Sequence, residues 1–173
     1  LFVGQTYNEA VRTAEVLGIT LVEDGEDYNY SEFLDEYNQT EHELIYDDIL
    51  DAFNDNLAKY PDNNAVSTQN NVYSYGEGAF IANEIASKLK NMGVNKDDNV
   101  AFLVERSELY MFSVLGILSV GAVYVPLDDA LPDERVKFMI DDTDAKVVIV
   151  CDETYNRAKK LSEENKLLNI SNI

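Results

Sequence analysis

The chain has 173 residues, with 33 acidic against 13 basic side chains and a formal net charge of −20. Such a surface repels nucleic-acid phosphates and anionic membranes, which are held mainly by lysine and arginine, so it argues against both as partners and chiefly serves solubility. Hydrophobic residues make up 46%, enough for a buried core, while a single cysteine (Cys151) and a single histidine (His42) exclude an intramolecular disulfide and leave no ordinary transition-metal site.

Without disulfides, and with no signal-like start in LFVGQTYNEA, the composition predicts a cytoplasmic protein. Residues 1 to 19 carry a short helical pattern, YNEAVRTAEVLGI, that stops at Gly18. The acidic run EDGEDYNYSE invites a calcium-loop reading from Asp27. That reading fails because the sixth and twelfth positions hold Glu32 and Asn38 rather than glycine and glutamate. Residues 20 to 44 read as a linker with a short helix, SEFLDEYNQ, whose Phe33, Leu34 and Tyr37 are placed to clamp a neighbour.

A second organised region starts near Ile45. IYDDILDAFNDNLAKYP sets Ile45, Ile49, Ala52, Phe53, Leu57 and Tyr60 on one helical face, with Pro61 as the stop. AVSTQNNVYSY predicts two short strands around Asn70 and Asn71, residues that tolerate left-handed turn geometry. Ser74 and Glu77 form a capping-box pattern for a helix that stacks Ile81, Ile85 and Leu89 and ends at Gly93.

DNVAFLVE is apolar enough at its centre for a strand buried on both faces. Ser107 is placed to cap ELYMFSVLGILSV, a helix apolar around most of its circumference. From Leu109 to Leu127 there are 19 residues without a charge, the length of a membrane helix. Internal glycines and serines, Pro126 and the lack of flanking basic residues argue instead for a helix followed by the strand AVYVPL.

Gly121 supplies the positive φ that turns helix into strand. In the strand, Val123 and Val125 flank Tyr124. Asp128 and Asp129 mark its exposed end, and Pro132 is suited to the start of the helix DERVKFMIDD, where Asp133 and Glu134 meet the positive helix end. AKVVIV is a further buried strand ending at Cys151, a small buried hydrophobe. The alternation predicts an α/β fold with a parallel sheet and flanking helices.

Convergent chemistry is sparse. GEG at 76 to 78 lacks the spacing and lysine of a phosphate loop, and no G-x-S-x-G elbow occurs. The adjacent pairs Asp128–Asp129 and Asp141–Asp142 read as solvated termini rather than acid–base pairs. Tyr124 could serve a site at a strand end, although a core or sheet-edge aromatic accounts for it better. No catalytic, cofactor-binding or metal residue is assigned from the residues alone.

The order of motifs carries more. YSYGEG at 73 to 78 resembles the first core motif of nonribosomal peptide synthetase adenylation domains, L-[TS]-Y-x-E-L. LSVGAVYVPLD at 118 to 128 resembles the second, L-K-A-G-x-A-Y-V-P-I-D. VAFLVERS lies between them, and LPDERVKFMIDDTDAKVVIV resembles the P-x-x-R-x-x-x-M-x-x-D stretch that follows. Tyr73 and Gly78 depart from the outer leucines of the first motif, and Ser119 and Val120 from the lysine and alanine of the second. FLDEYNQTEHEL is similar to the linker that joins a condensation domain to an adenylation domain, with Tyr37 in place of tryptophan.

The resemblance implies the amino-terminal subdomain portion of an adenylate-forming (acetyl-CoA synthetase-like) fold at 45–173, preceded at 1–44 by the tail and linker of an upstream condensation-type domain. It implies that the parent activates an amino acid with ATP and magnesium and passes it to a phosphopantetheine carrier. The phosphate loop, specificity pocket and catalytic lysine of the family fall beyond the matched segment. By that implication this stretch is inactive alone, and its partners are the condensation domain, the rest of the adenylation domain and the carrier. An acyl-CoA synthetase relative and a non-catalytic α/β docking module are the alternatives. The apolar helix at 108–120 and the strand KVVIV, if left partly uncovered, predict self-association.

Overall fold

The computed structural model describes residues 38–39, 43, 45–163 and 166–173. The chain divides between Leu44 and Ile45, and the second unit is described here. The helix expected in YNEAVRTAEVLGI, the clamp residues Phe33, Leu34 and Tyr37, and the linker boundary at 44 rest on residues outside the described set.

Helix α1 (Ile49–Lys59) begins later than the apolar pattern suggests. Asp48 is its N-cap, its carboxylate accepting from the Asp51 N–H at 2.9 Å, which leaves Ile45 outside the helix and 86% exposed. Tyr60 closes α1 through its N–H to the Asn56 carbonyl, before Pro61.

Strands β1 (Asn64–Ser67) and β2 (Val72–Ser74) pair antiparallel. Contrary to the expected turn, neither Asn70 nor Asn71 has a positive φ. Thr68 closes the loop instead: its N–H donates to the Asn71 carbonyl at 2.8 Å and its hydroxyl accepts from the Asn71 N–H at 3.1 Å. A loop longer than two residues does not need a left-handed pair.

The capping box is present. Ser74 Oγ accepts from the Glu77 N–H, and the Glu77 carboxylate accepts from the Ser74 N–H at 2.8 Å, opening α2 (Tyr75–Asn91). Beyond it run β3 (Asn99–Leu103), α3 (Glu108–Ser119), β4 (Val123–Pro126), α4 (Asp133–Asp142), β5 (Val147–Val150), α5 (Asp152–Leu161) and β6 (Leu167–Asn169). Strands β3 to β6 form one parallel sheet in the order β4-β3-β5-β6. The sequence reading placed neither α5 nor β6.

Successive strand residues point to opposite faces, so β3 and β5 serve two cores at once. On one face Val100, Phe102, Val147 and Ile149 meet Ile85 and Leu89 of α2 and Phe112 and Ile117 of α3. On the other, Ala101, Leu103, Val148 and Val150 meet Val136 and Ile140 of α4 and Ala158 and Leu161 of α5. Each large aliphatic side chain so enclosed contributes about 1.5–3 kcal/mol. The premise that KVVIV would lie partly uncovered is therefore corrected: Val147 to Val150 are all buried.

The 19-residue uncharged run is helix α3 followed by strand β4, and no helix among the described residues is long and apolar enough to cross a membrane. Its glycine at 116 has a packing role. A Cβ there would stand 2.7 Å from Ile85 Cγ2 and 3.0 Å from the Ala82 carbonyl, so α2 and α3 approach each other at this point. Gly78 is equally constrained, since a Cβ would stand 2.9 Å from the Phe112 ring. Tyr73 packs edge-on against that ring at 5.3 Å. The two departures in the first motif thus meet at one aromatic side chain.

Helices α2, α3 and α4 end alike. After α2, the Gly93 N–H donates to Lys90 and the Val94 N–H to Leu89; after α3, Gly121 donates to Leu118 and Ala122 to Ile117; after α4, Asp144 donates to Asp141 and Ala145 to Ile140. This double closure places one left-handed residue after the helix and tucks the next one inside. The left-handed residues are Gly93 (φ 80°), Gly121 (φ 73°) and Asp144 (φ 47°), and Val94, Ala122 and Ala145 behind them are buried. Two helix starts differ from expectation. Ser107 occupies the N-cap but its hydroxyl donates to the Glu105 carbonyl rather than capping α3. Pro132 is the N-cap of α4 rather than its first helical residue.

Candidate functional site

In a parallel sheet with helices on both faces, the loops leaving the carboxyl ends of the strands form the usual ligand side. A cleft of about 650 Å³ lies there, beside the ends of β3 and β4. Val104, Arg106, Ser107 and Tyr110 line it from the β3–α3 connection, Pro126 to Asp129 from the end of β4, and Val66 to Thr68 from the β1–β2 hairpin. The lining is mostly apolar, with Arg106 and the two aspartates as its charged groups.

The hairpin reaches this position through Glu108, the first residue of α3. Its Oε1 accepts from Asn71 Nδ2 at 2.8 Å and from the Tyr73 hydroxyl at 3.1 Å. Its own main-chain N–H and these two donors hold its carboxyl below the usual glutamate value, against partial burial. Burial and then the bond to Glu108 push the Tyr73 phenol up. Both shifts have structural causes, since each group is engaged with the other.

The carboxylate pairs singled out in the sequence are drawn into local structure. Asp128 Oδ1 accepts from the Ala130 N–H at 2.9 Å, while Asp141 pairs with Lys137 at 2.8 Å one turn earlier in α4. Tyr124 lies on the edge strand, 44% exposed and outside the cleft lining. Cys151 is buried at the N-cap of α5, with its Sγ 3.3 Å from Thr154 Oγ1.

Among the described residues, no group of three or more His, Cys, Asp and Glu side chains could hold a metal ion. A triphosphate entering the cleft would meet the single guanidinium of Arg106 together with Asp128 and Asp129. That donor set fits neither the phosphates of ATP nor a magnesium ion, so no chemical step is routed through these residues.

What the sequence missed is the cleft's support. Helix α5 is joined to the carboxyl ends of β3, β5 and β6 and to the loop that follows β4. It grows directly from β5. Thr154 Oγ1 donates to the Leu103 carbonyl of β3 at 2.6 Å and accepts from the Cys151 N–H at 3.1 Å. Asp152 accepts from Asn169 Nδ2 at the end of β6 at 2.7 Å. Arg157 reaches the loop after β4, with Nε on Asp133 at 2.7 Å, Nη1 on the Asp129 carbonyl at 2.5 Å and Nη2 on the Leu131 carbonyl. The hydrophobic spacing of DETYNRAKKL, with Asp152 and Glu153 in its first turn and Lys159 and Lys160 in its last, is the signal that marks this helix in the sequence.

The model of the AMP-binding enzyme family matches residues 53–172. A linear gramicidin synthase from Brevibacillus parabrevis is 40% identical over 115 residues, 66% of this chain and 2% of that protein. A mycosubtilin synthase from Bacillus subtilis is 34% identical over 116 residues, 66% of this chain and 4% of that protein. Among solved structures, a four-domain nonribosomal peptide synthetase bound to AMP and glycine overlays with a TM-score of 0.64 at 29% identity, over 72% of this chain and 9% of that one. An anthranilate CoA ligase in complex with anthranoyl-AMP overlays with a TM-score of 0.65 at 22% identity, over 73% of this chain and 25% of that one, and so shares the fold. The chain spans only a few per cent of the curated relatives' length. Its likeness in sequence is to nonribosomal peptide synthetases, its α/β architecture is that of adenylate-forming enzymes, and the chain belongs to the AMP-binding enzyme family.

Proposed function

We propose that this chain is the amino-terminal scaffold of an amino-acid-adenylating ligase within a nonribosomal peptide synthetase. The observation that carries the reading is the overlay on the synthetase bound to AMP and glycine, at 29% identity over 72% of this chain. In the proposed reaction an amino-acid carboxylate attacks the α-phosphorus of ATP, giving an aminoacyl-adenylate and releasing pyrophosphate. The thiol of a phosphopantetheine carrier then takes the acyl group and AMP leaves. The work of this stretch is architectural: it holds the carboxyl edge of the sheet, and the nucleotide and magnesium are bound by residues outside it.

In the same reading, the partners are an upstream condensation domain at the 1–44 side, the remainder of the adenylation domain and a carrier, all in the cytoplasm. Nucleic acid and membrane are not partners. The test is amino-acid-dependent ATP–pyrophosphate exchange by the full-length protein and by residues 1–173 alone. Exchange by the full-length protein only is the expected result. Exchange dependent on carboxylic acids without an amino group, followed by transfer to coenzyme A, would replace the reading with an acyl-CoA ligase. A full-length protein that binds partners without exchange would replace it with a docking module.

A further inference from the structure

The loop from Asp128 to Asp133 begins in the cleft wall, which Asp128 and Asp129 line, and has few hydrogen bonds of its own. It is exposed from Asp128 to Ala130, its own bonds being the Asp128 carboxylate to the Ala130 N–H and the Asp128 carbonyl to the Leu131 N–H. Leu131 packs against the second core, and the loop's long-range polar fastening comes from the Arg157 guanidinium, which meets two main-chain carbonyls and one carboxylate of this segment. Carbonyls turned toward a charged fork are fixed in direction as well as distance, and the planar guanidinium is suited to that in a way lysine is not. Arg157 is itself mostly covered, with 24% of its side chain exposed, whereas its carboxylate partner Asp133 is 59% exposed. The ion pair alone would therefore contribute little, and the geometry of the two carbonyl contacts is what remains.

We propose that Arg157 is a positioning residue: from α5 it sets the loop that carries the Asp128–Asp129 wall of the cleft, and through that wall it controls how well the full ligase binds its amino acid, the nucleotide being held outside this stretch. The inference rests on the adenylating-ligase reading for its second half and on the loop contacts alone for its first. The cleft's other walls come from the hairpin and the β3–α3 connection, which α5 does not touch through Arg157. Loss of the guanidinium accordingly loosens one wall and leaves the sheet intact, because Thr154 and Asp152 still tie α5 to β3 and β6.

The experiment compares wild type, Arg157→Ala and Arg157→Lys in the full-length protein. Hydrogen exchange is followed in peptides covering residues 127–135, and ATP–pyrophosphate exchange is measured for KM and kcat, with the thermal midpoint as a check on folding. Arg157→Lys retains charge and stem, so it reports on the fork even if Arg157→Ala folds poorly. The expected result is faster amide exchange in 127–135 and a KM for the amino acid raised about tenfold in both variants, with the KM for ATP and kcat within about twofold of wild type. Unchanged protection of 127–135 would overturn the inference whatever the kinetics. Lost protection with unchanged KM would overturn the coupling to substrate. A wild type without exchange activity overturns the ligase reading and the KM half with it, while the hydrogen-exchange arm still decides whether Arg157 fixes the loop.

Discussion

The two edges of the parallel sheet are held by different means. At the amino edge, short-range closures repeat: α3 turns toward β4 at Gly121, and α4 toward β5 at Asp144, with three and four residues between helix and strand. Neighbouring connections are stitched there by the Asp97 N–H to the Gly121 carbonyl, the Lys146 N–H to the Asn99 carbonyl and the Lys146–Asp98 ion pair. At the carboxyl edge one helix, α5, reaches strands far from it in sequence with Thr154, Asp152 and Arg157. The amino edge combines local helix closures with long-range bonds such as Lys146–Asp98, whereas the carboxyl edge is gathered by the side chains of one helix. The candidate cleft sits where the chain is held at a distance, which leaves the loops free to vary around a fixed support.

The largest effect that would break this comparison is expected at Thr154. Thr154→Val keeps the shape but removes a buried hydroxyl serving both the Leu103 carbonyl and the Cys151 N–H. A loss of about 2–3 kcal/mol is expected, read as a fall in the denaturant midpoint with little change in slope. A loss below about 0.5 kcal/mol would mean that α5 does not hold the carboxyl edge.

At the amino edge, Gly121→Ala forces an L-residue to φ 73° and brings its Cβ within 3.2 Å of Lys96 Cγ, a side-chain atom that can move. The expected loss is about 1–2 kcal/mol. Asp144→Gly occupies the equivalent place after α4 and should stabilise by up to about 1 kcal/mol, since it relieves a left-handed residue that is not glycine. Opposite signs at two positions of identical role would sharpen the comparison, and equal signs would refute the shared geometry.

The smallest effect concerns acid. The hydrogen bond from Lys146, then the Asn95 N–H, hold the Asp98 carboxyl below the usual aspartate value. A carboxyl depressed on folding contributes stability that is present above the unfolded value, near 3.9, and is lost as pH falls through the folded one. Lys146→Met should flatten the stability–pH curve below about pH 4. Because the pair is partly exposed, the difference should shrink in high salt. A curve identical to wild type would show that the pair is not formed in solution.

What was legible in the sequence follows the same division. Gly121, the Ser74–Glu77 box and the apolar strands VAFL and VVIV announce themselves because their causes lie within a few residues. Asp144 in the left-handed position was not legible, as aspartate is only an occasional substitute for glycine. Nor was the hairpin turn, where the hydroxyl of Thr68 takes the part expected of two asparagines. The cleft was half legible: Asp128 and Asp129 were placed at a strand end, but its rear support was missed. Nothing local marks Arg157 as the partner of Asp129, Leu131 and Asp133. The Gly78 departure, meaningless in one dimension, is explained by the Phe112 ring lying where a leucine would go.

The three identical helix endings also bear on the order of events in folding. Each closes a helix end through contacts three to five residues apart, whereas the bonds from Thr154 and Arg157 close separations of 51 and 26 to 28 residues. Short separations cost little chain entropy, so the helix endings are expected to form before the rate-limiting barrier and the α5 bonds after it. Stopped-flow measurements should then find that Gly121→Ala mainly slows folding, while Thr154→Val mainly speeds unfolding. On that account the helix endings form first, and the edge that faces the cleft is locked, last of all, by the side chains of α5.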